Sequence, residues 1–141
     1  MRVLVVSAEV WQDGTNGGNV LSNMFGETGF ELAQIYCNPG EPRNGLCRKY
    51  YQMTDSMVIR SFLKHKPIGK AFELEENEQK EEIKAEKPNK KFYSFFRNHR
   101  LRIFHTAQML IWNLSNWKNK GLDDFIKDFA PDIVFAPCYG N

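Results

Sequence analysis

The chain has 141 residues and a net charge of only +2, a length that suits one domain with a real core and a field that singles out no partner. Its first residues do not read as a secretory leader, so none is expected, and no apolar stretch approaches a membrane span. Three cysteines, Cys37, Cys47 and Cys138, are odd in number and lack metal-ligand spacing, so free thiols in a reducing cytoplasm are expected ahead of a Cys37–Cys47 bridge.

Met1 to Ser7 is a continuous apolar strand signal. A strand apolar on successive residues expects cover on both faces, as in a parallel sheet between helices. A polar loop, Ala8 to Asn16, leads to Gly17-Gly18, Asn19 and a helix-like segment, Val20 to Gly26. Strand, glycine-rich loop and helix N-terminus is how open α/β sheets bind phosphate. The spacing of Gly14, Gly17 and Gly18 is neither the dinucleotide fingerprint nor the P-loop pattern, so the glycine pair can equally serve only to turn the chain.

Gly29 breaks the pattern, and Glu31 to Tyr36 reads as a second strand. Asn38 to Gly45 is dense in turn residues and reads as loop. Arg48 to Met53 is a short strand, and Thr54 or Asp55 can cap a helix over Ser56 to Lys64. Residues 73–89 carry seven Glu between Glu73 and Glu86, with few apolar side chains, and read as a charged mobile linker.

Lys90 to Lys120 holds the longest helix pattern. Phe96, Ile103, Phe104, Ala107, Leu110, Ile111, Leu114 and Trp117 recur as one buried stripe, with Leu101, Met109 and Trp112 off it. Gly121 is expected to stop this helix. Leu122 to Phe129 reads as a short helix, and Asp132 to Ala136 as another buried strand. Only five residues follow that strand, so its neighbours in a doubly wound sheet are expected beyond Asn141. The basic residues Lys87, Lys90, Lys91, Arg97, Arg100 and Arg102 interleave with Phe92, Tyr93, Phe95 and Phe96. Such a segment, 90–104, suits peripheral contact with an anionic membrane surface; a nucleic-acid motif is lacking. The other reading buries the aromatics and leaves the cations as a solvated face balancing the acidic stretch before them.

Together these residues resemble the N-terminal domain of a bacterial GT-B-fold glycosyltransferase that uses nucleotide sugars. The resemblance rests on Arg2-Val-Leu-Val-Val-Ser7 with its loop to Gly17-Gly18, on Phe129-Ala-Pro-Asp-Ile-Val-Phe-Ala136, and on the order of elements between them. Pro137 stands where the family often has His, and no Lys precedes the glycine pair. The resemblance implies an α/β, Rossmann-like open parallel sheet with helices on both faces, spanning residues 1–141. This half would form the acceptor-side wall of a cleft. The donor-binding C-terminal domain is absent from this chain, which alone should be inactive. It further implies a nucleotide-sugar donor, a glycan or lipid-linked acceptor, no metal or other cofactor, and a cytoplasmic place at the inner membrane face.

Ligands of open α/β sheets sit off the carboxyl ends of the strands. Glu9 is either a base for an acceptor hydroxyl or a solvated charge; Asp13 reads as the latter. Trp11 can stack on a sugar or pack in the core. Gly17, Gly18 and Asn19 can contact phosphate, although Asn19 also suits a helix N-cap. Tyr139 and Asn141 can line the cleft or fray. His65, His99 and His105 form no constellation, and no serine sits in a nucleophile elbow, so a hydrolase has no support. Two other classes stand beside the glycosyltransferase: a nucleotide-binding domain of another enzyme, and a non-catalytic module that binds a membrane or partner.

Overall fold

A computed structural model describes residues 1–64, 66–74 and 102–137. The expectations placed on residues 75–101, His65, Cys138, Tyr139 and Asn141 lie outside the described residues.

Five strands form one mixed sheet: β1 (Arg2–Ser7), β2 (Glu31–Tyr36), β3 (Lys49–Gln52), β4 (Lys70–Glu73) and β5 (Ile133–Phe135), in the order β4-β3-β2-β1-β5. The helices are α1 (Asn16–Phe25), α2 (Asp55–Lys64), α3 (Arg102–Leu114) and α4 (Lys120–Phe129). β5, β1, β2 and β3 run parallel, and β4 returns antiparallel to β3. The fold is therefore α/β, but its sheet is not purely parallel. Glu73, expected to open the linker, is instead the last residue of β4, opposite Lys49.

Alternation along each strand sends side chains to two cores. On one face Val3 and Val5 of β1, Leu32 and Tyr36 of β2 and Tyr50 of β3 pack with Trp11 and with Leu21 and Phe25 of α1. Phe72 of β4 stacks on Tyr50, with ring centroids 5.4 Å apart. On the other face Leu4, Ala33, Ile35 and Tyr51 pack with Val58 of α2 and with Leu122 and Phe129 of α4. Helices thus cover both faces, as the unbroken apolar run of β1 requires.

β1 lies inside the sheet and β5 runs parallel to it, as expected. β5 is nonetheless an edge strand among the described residues, with Ile133 and Val134 about half exposed, so it is not the buried strand its composition suggests. Among the described residues it pairs on the β1 side only. Asp132 sets that pairing: its carboxylate accepts the Arg2 backbone N–H at 2.7 Å, and its own N–H donates to the Arg2 carbonyl at 2.9 Å.

Two helix boundaries also differ from expectation. α1 starts at Asn16, capped by Thr15, whose hydroxyl accepts the Gly18 N–H at 3.1 Å. Gly17 and Gly18 therefore lie in the first helical turn rather than in a loop, and Asn19 is not the cap. α3 ends at Leu114, and Asn119 caps α4 by accepting the Leu122 N–H, so Gly121 sits inside α4 and does not stop a helix. In both cases a short polar side chain one residue ahead of the helix supplies the acceptor that decides where it begins.

Candidate functional site

From β1 the chain winds outward in both directions. α1 and β2 lie to one side of it, and β5, reached through α3 and α4, lies to the other. The strand order thus reverses between β1 and β5, and open α/β sheets bind ligands off the carboxyl ends of the strands at such a switch point. The loop from Ala8 to Thr15 leaves the carboxyl end of β1 at this point.

That loop is held by a fully buried glutamine. Gln34 of β2 accepts the Trp11 N–H through Oε1 at 3.0 Å. Its Nε2 donates to the Ser7 hydroxyl at 2.8 Å and to the Glu9 carbonyl at 3.0 Å. One amide therefore ties three points of the β1–α1 connection. The loop after β2 braces the same segment from outside. Asp13 N–H donates to the Arg43 carbonyl at 2.9 Å and Arg43 N–H to the Trp11 carbonyl at 3.0 Å. Gln12 Nε2 donates to the Glu41 carbonyl at 2.6 Å, and the Cys37 and Asn38 N–H groups both reach the Ala8 carbonyl. A loop so fully hydrogen-bonded holds its exposed side chains in fixed places.

Glu9 is the exposed carboxylate at the carboxyl end of β1. Its Oε2 lies 3.5 Å from the place a Cβ on Gly17 would take, so structure brings Glu9 and Gly17 together at the start of α1. Gly18 has a different duty. A Cβ there would fall 1.8 Å from the Gln12 carbonyl oxygen, so the glycine lets the helix lie directly on the loop backbone. Gly18 is buried and its N–H is taken by Thr15, while Asn19 is exposed and its N–H donates to the Thr15 carbonyl.

Trp11 is fully buried, against Phe25 at 6.1 Å between ring centroids. Its Nε1 donates to the Ser22 hydroxyl at 2.8 Å, and that hydroxyl donates to Asp13. The stacking role for Trp11 is thus corrected to a packing role, because no face of the ring is open. Asp13 is more than a solvated charge, since it closes this chain of hydrogen bonds.

Charge at this end of the sheet is mostly negative, with Arg43 of the second loop lying 3.8 Å from the Glu41 carboxylate. Between Val3 and Pro42 the sequence has no Lys or Arg, whereas Glu9, Asp13 and Glu41 all lie on the two loops. The thiol of Cys37, at the end of β2, is pushed up by burial and then by the charge of Asp55. Among the described residues no group of three or more His, Cys, Asp or Glu is arranged to hold a metal ion.

Sequence reasoning passed over Gln34 and Ser22, and over Asn44, whose Nδ2 donates to the Trp11 carbonyl at 3.2 Å. The signal for Gln34 was present: a lone amide in an otherwise apolar strand needs partners when buried. Comparison of the chain with protein-family models, with curated proteins and with solved structures finds no match.

Proposed function

We propose that this chain is the acceptor-side half of a GT-B glycosyltransferase, with Glu9 as the base. The observation that carries the reading is the position of Glu9. It is an exposed carboxylate at the switch point of the sheet, on a loop locked from below by Gln34. A carboxylate so placed takes the proton of an acceptor hydroxyl as its oxygen bonds to the anomeric carbon. The nucleoside diphosphate leaves with the electron pair of the broken bond.

The charge of the site favours an acceptor over a phosphate. Arg43 of the loop after β2 is paired with Glu41, and the Glu9 carboxylate beside Gly17 offsets the attraction of the α1 N-terminus for an anion. Gly17, Gly18 and Asn19 then shape the floor rather than hold a diphosphate. The donor nucleotide belongs, on this reading, to a second Rossmann-like half, and the ligand of this half is a hydroxyl-rich, neutral glycan or the sugar of a lipid-linked acceptor. A dinucleotide-binding domain is the weaker reading, because its pyrophosphate would meet that same carboxylate.

Two measurements test this. In an isotope-labelled chain, neutral oligosaccharides should shift amide resonances from Ser7 to Gly17 more strongly than UDP or GDP does. In the full-length protein, Glu9→Gln should cut sugar transfer at least about 100-fold without changing the melting temperature. Unaltered transfer by that variant removes Glu9 from the chemistry. Nucleotide shifts centred on α1 would return the site to a phosphate.

A further inference from the structure

One side of α3 is apolar and uncovered. Leu110 and Leu114, one turn apart, are 55% and 74% exposed, and Met109 beside them is 65% exposed. Thr106 and Asn113 complete this outward face and are also exposed. The opposite side is committed to the core, where Ile111 and Trp112 pack and Trp112 Nε1 donates to Asp55 Oδ1 at 2.7 Å. The stripe drawn from periodicity is therefore split: Leu110 and Leu114 look outward while Ile111 looks in, and Trp112, expected off the stripe, packs inward beside it.

Charge tells what kind of surface this face meets. From Lys87 to Leu122 the sequence contains eight Lys or Arg and no Asp or Glu. Within this acid-free run lie the whole of α3, the basic residues leading into it, and the exposed Lys118 and Lys120 after it. Lys118 sits with its Nζ 5.1 Å from the ring centroid of Trp117. An exposed apolar row on a helix free of acids, opening on Arg102 and followed by Lys118 and Lys120, is the pattern of a helix that lies in the headgroup layer of an anionic bilayer. A second apolar patch provides the contrast. Val20 and Met24 of α1 are about half exposed as well, but no Lys or Arg lies between Val3 and Pro42.

We propose that the outer face of α3, centred on Met109, Leu110 and Leu114, docks on an anionic lipid surface. The apolar row enters the acyl boundary, and Lys118 and Lys120 just beyond the helix meet lipid phosphates and carboxylates. Among the described residues no helix is long and apolar enough to cross a membrane, so the contact is in-plane. This rests on α3 and the charge around it, and is independent of the role given to Glu9.

The test is flotation of the purified chain with vesicles of phosphatidylcholine alone and of phosphatidylcholine with phosphatidylglycerol. Binding should require the anionic lipid and weaken as salt is raised to about 0.5 M. The double variant Leu110→Glu/Leu114→Glu should lose at least about tenfold in partitioning with an unchanged far-UV spectrum, because both positions face solvent. Val20→Glu/Met24→Glu should bind as the parent does. Absence of binding to anionic vesicles at low salt overturns the proposal, as does loss of binding by the α1 variant alone. A dimer in light scattering that Leu110→Glu/Leu114→Glu dissociates, without vesicle binding, overturns it in favour of a second copy.

Discussion

The two adjacent glycines of α1 should respond to alanine with opposite signs. A methyl on Gly18 would sit 1.8 Å from the Gln12 carbonyl oxygen, 2.5 Å from its carbon and 2.9 Å from the Gln12 nitrogen. Ordinary carbon contacts lie at about 3.5 Å or more, so helix and loop must part by roughly 1.5 Å. The loop has little room to retreat, because Thr15 donates twice to that same carbonyl and Gln12 is tied to Glu41. Overpacking of this kind costs about 1–3 kcal/mol, and each hydrogen bond broken in the retreat about 1 kcal/mol more. Better helix propensity returns about 1 kcal/mol. The net loss for Gly18→Ala is about 2–4 kcal/mol, or roughly 6–15 °C in melting temperature for a domain of this size. A methyl on Gly17 meets only Glu9 Oε2, at 3.5 Å, an ordinary contact. Gly17→Ala should therefore be neutral or stabilise by up to about 1 kcal/mol. Urea denaturation of the two variants measures both numbers. Equal midpoints for the pair, or destabilisation by Gly17→Ala alone, would refute the packing of α1 on the Gln12 backbone.

Gln34→Leu should cost about 2–3 kcal/mol, since it leaves the Trp11 N–H unpaired beneath the loop, and hydrogen exchange at Trp11 should accelerate; an unchanged exchange rate would deny the glutamine its bracing role. Asp55→Ala removes the acceptor of Trp112 Nε1 and should destabilise by about 1–3 kcal/mol, with a red shift in tryptophan emission as α3 loosens. Ala130 ends α4 at a φ of 46°, a left-handed conformation that suits glycine, so Ala130→Gly should raise stability by about 1 kcal/mol in thermal melts. Burial pushes the Cys47 thiol up from about 9 to about 12. Between these values the unfolded chain has lost a proton that the folded chain keeps, so stability falls as pH rises through this window and is flat for this group below it. Burial pushes the Tyr36 and Tyr50 phenols up as well, in the same sense. Urea midpoints that stay level from about pH 8 to pH 11 would contradict this.

Short-range pattern was enough for β1, β2, β3, α2 and α4. Each is announced within its own residues, by an apolar run or by a cap such as Thr54, whose hydroxyl accepts the Met57 N–H. Even the Pro-Asp pair before β5 was legible as an element start, although its work is done at Arg2. The exposed position of Glu9 off β1 also follows from the strand signal and the polar loop after it. What sequence could not decide is what each residue meets. Trp11 has the same composition whether it faces a sugar or Phe25 and Ser22. Only the pairing of β1 with β2 brings Gln34 beneath its backbone. Gly17 and Gly18 look alike in sequence and differ because one faces a carboxylate and the other a peptide. β4 was hidden because Lys70 to Glu73 has little strand character alone, and becomes a strand through Tyr50 and Tyr51 of β3. The helical period of α3 places its apolar residues on the helix but not which side turns inward. That choice was made by Asp55, far away in the chain, when it took the Trp112 N–H and left Leu110 and Leu114 outside.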